Sequence, residues 1–274
     1  MKKNSLFLSP FLLWCVSLVS CQKSVESVSN YPQNTSGTER SLSAGNEDRI
    51  NSGMPTDQKG VPDKLPGSFK KGLLAWYPFN GNAVDYSGNG YDGINNGAVS
   101  TNDRFGNSNS AFYFNNSSII SPISNIFLQS DFSISLWVEL DQNANSEYPT
   151  FMEGDNGYLD FQFDNFNPLQ VTFYESSGIG TGITYGAVSS VAQFGVWMHL
   201  AVVNSKNKNS LYLNGALIAT SSAQIPSQGQ AIGNFLSIGN GIQLPQEAFI
   251  GKVDDVRIYK RALRSSEIYY LATH

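Results

Sequence analysis

The chain has 274 residues, a formal net charge of −5 at pH 7 and two cysteines, Cys15 and Cys21. The acidic balance argues against a nucleic-acid-binding protein, because the phosphate backbone requires a basic surface. The two cysteines lie close together near the N-terminus. They therefore cannot form the disulfide framework of a small secreted scaffold.

The N-terminus has the pattern of a secretory signal. Two lysines in Met1–Lys3 precede an apolar stretch, Leu6–Val19, which contains Pro10. This stretch is shorter than the roughly 20 apolar residues that a transmembrane helix needs. A short apolar segment after a positive N-terminus is typical of a cleaved signal peptide. We predict a signal peptide over residues 1–20.

The signal ends in Leu18-Val19-Ser20-Cys21, which resembles the lipobox of bacterial lipoproteins. The resemblance implies cleavage before Cys21 and lipid attachment to its sulfur. Cys15 would be removed with the signal, so no intramolecular disulfide could form in the mature chain. Gln22 follows the lipid site, which by the same resemblance implies an outer-membrane lipoprotein of the bacterial cell envelope. An ordinary secretory signal with a chance cysteine is the alternative.

Residues 21–71 are rich in Ser, Asn, Gln, Gly, Pro and charged residues, and their apolar residues are isolated. Such a segment cannot bury enough apolar surface to offset the entropy of ordering it. We therefore predict a disordered tether over 21–71. It would hold the following domain away from a membrane that the protein contacts through its lipid alone.

Residues 72–274 contain short apolar runs separated by turn residues such as Asn80-Gly81 and Asn214-Gly215. This spacing predicts an all-β domain, a two-sheet antiparallel sandwich with one short C-terminal helix over Ser265–Ala272. Ser265 or Ser266 is the expected helix cap. The predicted strands are Leu73–Phe79, Ser110–Phe114, Ser118–Ile120, Phe132–Leu140, Thr150–Glu153, Tyr158–Phe163, Leu169–Tyr174, Trp197–Asn204, Ser210–Leu213, Ala216–Thr220, Phe235–Ile238 and the stretch that begins at Gly251.

The last predicted strand contains two adjacent acidic residues, Asp254 and Asp255. Strict alternation assigns Val253, Asp255, Arg257 and Tyr259 to one face, and Lys252, Asp254, Val256 and Ile258 to the other. A carboxylate in a mostly buried strand must be paired or must bind a cation. We therefore expect a partner for these acids elsewhere in the chain, with Arg257 as one candidate for Asp255.

Six stretches resemble, in the same order, the motifs of laminin G-like domains of the concanavalin A-like jelly-roll superfamily. They are Trp76–Gly90, Arg104–Gly106, Phe132–Val138, Trp197–Val203, Leu211–Gly215 and Gly251–Leu263. The resemblance covers all of 72–274 and implies a jelly roll. It does not imply one activity, because this fold supports lectins, enzymes and adhesion modules.

The resemblance also implies one structural Ca²⁺ between the first loop and an acid of the last strand. Asp254 matches that acid, and Asn80 and Asp85 lie in the oxygen-rich loop. Oxygen ligands and glycine suit calcium. Asn80 departs from the family pattern, in which Asp is commoner, and supplies less charge. The alternative is that these residues only form turns.

Two strands are predicted to carry a ligand face. Tyr158, Asp160 and Gln162 share one face of their strand, and Tyr174 lies on the polar side of the next. Aromatic rings mixed with amide and carboxylate groups are typical of sugar-binding surfaces. The alternative is the solvated outer face that every sandwich has.

No catalytic set can be identified from the sequence. His199 lies in an alternating strand and is expected to be structural, and His274 is the last residue. Asp160 and Asp164 would be about 13 Å apart on one strand, too far for a retaining glycosidase pair.

We therefore predict a lipid-anchored, non-catalytic module that binds a glycan or a cell-surface protein. A polysaccharide hydrolase or lyase of the same superfamily, or a structural component without a small ligand, are the alternatives.

Overall fold

The computed structural model describes residues 67–124, 131–155, 159–165, 169–176, 183–189, 192–205, 208–222, 234–241 and 247–274. All of them belong to a compact unit, Pro55–His274. In chain order the strands are β1 (Leu73–Tyr77), β2 (Ile94–Asn96), β3 (Val99–Thr101), β4 (Ala111–Asn115), β5 (Ser118–Ser121), β6 (Phe132–Leu140), β7 (Thr150–Gly154), β8 (Leu159–Asp164), β9 (Gln170–Ser176), β10 (Ile183–Ser189), β11 (Met198–Ser205), β12 (Lys208–Leu213), β13 (Ala216–Ser222), β14 (Leu236–Ile238) and β15 (Ile250–Tyr259). The helices are α1 (Gly67–Lys70) and α2 (Ser265–Thr273).

The strands form two antiparallel sheets, as the sequence predicts. Sheet A has eight strands in the order β13-β12-β11-β6-β15-β4-β3, and β1 also pairs with β15. Sheet B has seven strands in the order β10-β9-β8-β7-β14-β5-β2. The predicted all-β jelly-roll sandwich with one short C-terminal helix is therefore confirmed.

One hydrophobic core fills the space between the sheets. Sheet A contributes the alternating residues Ile134, Leu136 and Val138 of β6. Sheet B contributes Phe161 and Phe163 of β8, among others. Because successive side chains of a strand point to opposite faces, the residues between these core positions lie on the outer faces of the sandwich.

Helix α2 covers part of the outer face of sheet A. Its buried residues Ile268 and Leu271 belong to a second apolar cluster that includes Tyr212 and Tyr259 of the sheet. The Glu267 carboxylate, rather than a serine side chain, accepts a hydrogen bond from the Arg264 amide at the helix start. In the part of the chain described here, neither helix is long and apolar enough to cross a membrane.

The packed part of the chain begins before the predicted residue 72. Phe69 of α1 is buried in the second apolar cluster, and its ring lies 4.9 Å from that of Tyr270. Three strands also escaped the sequence prediction, β2, β3 and β10. The first two have only three residues each, and β10 is interrupted by a glycine. Short or interrupted strands give little periodic signal.

The predicted division of β15 into two alternating faces was wrong beyond Asp254. The pairing of β15 with β6 shifts between Asp254 and Arg257, and Asp255 has a positive φ of 51°. This is a β-bulge, in which one extra residue interrupts the alternation. Val253 and Val256 therefore both enter the core, although strict alternation assigned them to opposite faces.

Candidate functional site

Strand β8 has the two faces that its sequence predicts. Leu159, Phe161 and Phe163 are buried in the core, so Asp160 and Gln162 lie on the outer face of sheet B. Tyr158 lies outside the described residues. Tyr174 is described only through its backbone, which pairs with Asp160 across β8 and β9.

The β8 face is not a solvated surface. Gln162, Asp164 and Thr172 are all buried. The Gln162 amide donates to Asp164 Oδ1 at 2.6 Å, and the Thr172 hydroxyl donates to Asp164 Oδ2 at 2.6 Å. This network satisfies both oxygens of a buried carboxylate, as burial requires. Gln162 therefore has a structural role beside the ligand role predicted for it.

A row of polar residues crosses the middle strands of sheet B in register. Ser237 of β14 pairs with Glu153 of β7, Glu153 pairs with Asp160 of β8, and Asp160 pairs with Tyr174 of β9. The Cβ atoms of directly opposed residues lie about 4.5–5.5 Å apart. Glu153 was missed by the sequence analysis, which placed it at the end of a strand without knowing which residue it faces.

Asp160 has a perturbed environment. Burial, with a smaller contribution from the nearby Glu153 and Glu247, raises the pKa of its carboxyl to about 8. Its Oδ1 is buried and has no hydrogen-bond partner in the described part of the chain. A carboxyl with a pKa near 8 is mostly protonated at neutral pH, so it can both donate and accept hydrogen bonds.

The predicted calcium ligands have other partners. The Asp85 carboxylate accepts four hydrogen bonds, from the Trp76, Ser87 and Tyr91 amides and from the Ser87 hydroxyl. These bonds fasten the loop to the end of β1. The Asp92 carboxylate in turn accepts from the Asp85 amide at 2.8 Å.

Asp254 lies on the outer face of sheet A and is 3% exposed. Arg104 donates to its Oδ2 at 2.8 Å. Burial and the adjacent Asp255 raise the pKa of Asp254, and the Arg104 charge opposes that rise. Asp255 accepts from the Trp76 indole at 2.8 Å and from Arg257, which confirms the predicted partner for that acid.

The donor set fits a metal poorly in this arrangement. Asp85 and Asp254 would each have to release a partner to coordinate a cation. Asn80 has a buried Nδ2 without a hydrogen-bond partner among the described residues, so its amide is the least constrained of the three. No group of three or more His, Cys, Asp or Glu residues suited to a metal occurs in the described ranges. Calcium binding stays a prediction.

His199 and Ser135 form a buried pair that does not suit catalysis. The Ser135 hydroxyl and His199 Nε2 are 2.9 Å apart, and both residues are 1% exposed. Burial lowers the pKa of His199 to about 3, with Arg257 and Arg104 contributing. The imidazole is therefore neutral at physiological pH and packs against Trp137, as the expected structural role requires.

The two antiparallel sheets define a jelly-roll sandwich. Residues 106–269 match the family model of the concanavalin A-like lectin/glucanases superfamily. This match covers more than half of the chain, and the protein therefore belongs to that superfamily.

Solved structures show the same fold at low sequence identity. Domain 4 of AbnA, an extracellular arabinanase from Geobacillus stearothermophilus, was solved with arabinotriose. It is 22% identical with a TM-score of 0.56, and the match covers 73% of this chain and 98% of that domain.

Botulinum neurotoxin structures match as well. The serotype D binding domain is 14% identical with a TM-score of 0.58, and the match covers 74% of this chain and 52% of that one. A structure of the type C toxin, whose cell entry depends on two ganglioside molecules, is 16% identical with a TM-score of 0.60; coverage is 75% and 52%. This chain thus spans about half the length of the toxin structures, and the likeness supports the fold alone.

Proposed function

We propose that the protein is a non-catalytic glycan-binding module that uses the outer face of sheet B around Asp160. The observation that carries this proposal is the row in which Asp160 stands between Glu153 and Tyr174, with its buried Oδ1 lacking a hydrogen-bond partner among the described residues. Sugar hydroxyl groups are both donors and acceptors, and a partly protonated carboxyl can satisfy either role. The neighbouring Gln162–Asp164–Thr172 network holds β8 and β9 in place beside it.

Two comparisons favour a glycan over a protein ligand. The AbnA domain was solved with arabinotriose, and the type C toxin depends on gangliosides. Both ligands contain sugars, and both proteins share this sandwich. A glycan is therefore the first ligand class to test, and a cell-surface protein is the second.

The test is a glycan array followed by titration of the best ligand. Asp160→Asn removes an acceptor at the proposed site, and the matched control Asp141→Asn changes an acid in a turn that bonds to the start of β15 in sheet A. We expect Asp160→Asn to weaken binding by about tenfold, because a hydrogen bond to such a group contributes about 1.5 kcal/mol. Absence of any glycan ligand, or equal losses in both variants, would reject the proposal.

The same carboxyl pair supports a second candidate, hydrolysis of a polysaccharide. Glu153 and Asp160 are directly opposed on the neighbouring strands β7 and β8. The raised pKa of Asp160 suits a general acid. Incubation of the protein with any glycan that it binds distinguishes the two functions. Release of shorter products that is lost in Glu153→Gln would establish the hydrolase, and an unchanged glycan would support a binding module.

We further propose that the protein is anchored in the bacterial outer membrane by lipid on Cys21. The support is the lipobox-like sequence Leu18-Val19-Ser20-Cys21 after a short apolar segment. Metabolic labelling with a fatty acid is expected to mark the wild type and not Cys21→Ser. Membrane fractionation then tests the location, and recovery of unlabelled wild type from the soluble fraction would reject the anchor.

A further inference from the structure

The exposed basic residues are concentrated at one corner of the domain, where the described chain begins and ends. This basic corner consists of Lys70, Lys71, Lys260, Arg261 and Arg264. Lys70, Lys71, Lys260 and Arg264 are exposed. Arg261 is half-buried and pairs with Glu267. Among the described ion pairs, Glu267 is the acid that lies at this corner.

Basic residues elsewhere in the described ranges are arranged differently. Arg104, Lys252 and Arg257 each form an ion pair with an acidic side chain of the same sheet face. Lys208 is exposed at the start of β12. The corner is therefore a local positive surface on a chain whose formal net charge is −5.

The corner is held together by contacts between the two ends of the domain. The Arg261 guanidinium donates to the Lys71 carbonyl at 2.6 Å, and the Lys260 amide donates to the Gly72 carbonyl at 2.7 Å. The Phe69 ring packs against Tyr270 of α2. These contacts fix α1, the end of β15 and the start of α2 beside one another, so the positive charges are presented from a rigid frame.

We propose that the basic corner docks on the anionic headgroup surface of a phospholipid membrane. The chain enters the domain at this corner from residues 1–66, which contain the proposed lipid site. The positive charge of the corner, rather than the point at which the chain enters, selects it as the surface that meets anionic headgroups. Each Lys or Arg close to an anionic surface strengthens binding by about fivefold, and the attraction decays within a Debye length of about 8 Å.

This orientation agrees with the position of the glycan site. Helix α2, which carries part of the corner, packs on the outer face of sheet A. Asp160 lies on the outer face of sheet B, on the opposite side of the sandwich. Docking through the basic corner would leave the glycan face directed away from the membrane. The sequence analysis assigned membrane contact to the lipid alone, and the corner adds a second, electrostatic contact.

The docking inference rests on the proposed anchor for its biological setting, but its test does not need the lipid. The chain from Gln22 onward, which lacks Cys21, is mixed with vesicles of phosphatidylglycerol and phosphatidylcholine, or of phosphatidylcholine alone, and the bound fraction is measured by sedimentation. We expect binding to the anionic vesicles that weakens as salt is added. Equal binding to both vesicle types, or binding to neither, would overturn the inference.

Matched variants locate the contact. Lys260→Gln should lower the partition coefficient about fivefold, and the triple variant Lys70→Gln/Lys71→Gln/Lys260→Gln about 100-fold. Lys252→Gln removes a lysine near the other end of β15, where it pairs with Glu139, and should change the partition coefficient less than about twofold. Equal losses for Lys252→Gln and Lys260→Gln would contradict a local corner. Binding to a soluble polyanion such as heparin, without vesicle binding, would assign the surface to another partner.

Failure here is distinguishable from failure of the glycan proposal. Glycan titrations of the triple variant should match the wild type, because none of the three lysines lies on sheet B. If the protein binds anionic vesicles but no glycan ligand is found, the membrane-docking inference is supported and the glycan site is rejected. Absence of fatty-acid labelling in the wild type would reject the lipid anchor and neither of the other two proposals.

Discussion

The outer faces of the two sheets use acidic residues in different ways. On sheet A, Asp254 pairs with Arg104, Glu139 pairs with Lys252, and the bulge acid Asp255 pairs with Arg257. On sheet B, the buried Asp164 accepts hydrogen bonds from an amide and a hydroxyl, and Oδ1 of Asp160 has no partner within the described ranges.

The difference separates a stabilising role from a ligand-binding one. Acids that are matched with basic residues have their charge compensated inside the molecule. Arg104 opposes the rise in the pKa of Asp254, whereas burial, Glu153 and Glu247 all raise the pKa of Asp160, and acids perturbed in this way cluster at functional sites. This contrast is the reason for assigning ligand binding to sheet B, and each prediction below tests one side of it.

The largest effect is expected from removal of one partner of the Arg104–Asp254 pair. Arg104→Ala leaves a buried carboxylate uncompensated, which should lower the free energy of unfolding by about 3–5 kcal/mol. The double variant Arg104→Met/Asp254→Leu removes both charges and should be destabilised less. Urea denaturation measures both. A loss below about 1 kcal/mol for Arg104→Ala would place the pair among weak surface ion pairs.

Asp160→Asn should raise the free energy of unfolding, in contrast to Arg104→Ala. The folded carboxyl holds its proton up to about pH 8, whereas the unfolded one loses it near pH 3.9. The unfolded state therefore binds fewer protons between these values, and stability falls as the pH rises from about 4 to 8. The variant should be more stable than the wild type at pH 9 and equally stable at pH 4, because only at the higher pH does folding bury an ionised carboxylate in the wild type. Equal effects at both pH values would show that Asp160 titrates normally.

A third test asks whether the Asp254 carboxylate can bind calcium once Arg104 no longer pairs with it. In the wild type Arg104 occupies the Asp254 carboxylate, so added calcium should change the melting temperature little. In Arg104→Gln the carboxylate is released. About 10 mM calcium should then stabilise the variant by about 1.4 kcal/mol if the Kd is about 1 mM, as in extracellular calcium modules.

Magnesium at the same concentration is the control for ionic strength in the calcium experiment. Reversal by EDTA would confirm a specific site at Asp254. No shift in either protein would reject the calcium prediction.

The smallest effect is expected at the partly exposed pair Lys252–Glu139. Its Nζ–Oε1 distance is 2.8 Å, but the lysine side chain is 30% exposed. Lys252→Gln should cost about 0.5 kcal/mol, and the loss should shrink in high salt. A loss as large as that of Arg104→Ala would show that burial does not determine how much each ion pair of sheet A contributes to stability.

Local periodicity was sufficient to predict the fold and part of the site. Alternation along Phe132–Leu140 and Leu159–Asp164 identified the core and outer positions correctly, because the period of a strand is fixed by its backbone. The laminin G-like motifs added the family, which the match over residues 106–269 confirms.

Register and bulges were beyond the reach of sequence reasoning. Glu153 faces Asp160 because β7 and β8 pair in one particular register, and nothing local to either strand specifies that register. Arg104 reaches Asp254 across 150 residues of chain. The bulge at Asp255 cannot be read from alternation, because the insertion of one residue is what breaks it.

The amino-acid sequence by itself determined that this protein is a two-sheet β sandwich with one terminal helix, because apolar periodicity and turn residues act over a few positions. It also marked Asp160 as an outward polar residue. Only the tertiary structure decided the charge environment of each acid, by bringing the basic Arg104 to Asp254 and the acidic Glu153 to Asp160. The tertiary structure also brought Lys70, Lys71 and Lys260 together at one corner. Electrostatic interactions and hydrogen bonds depend on distance in space, and that distance is set by the tertiary structure.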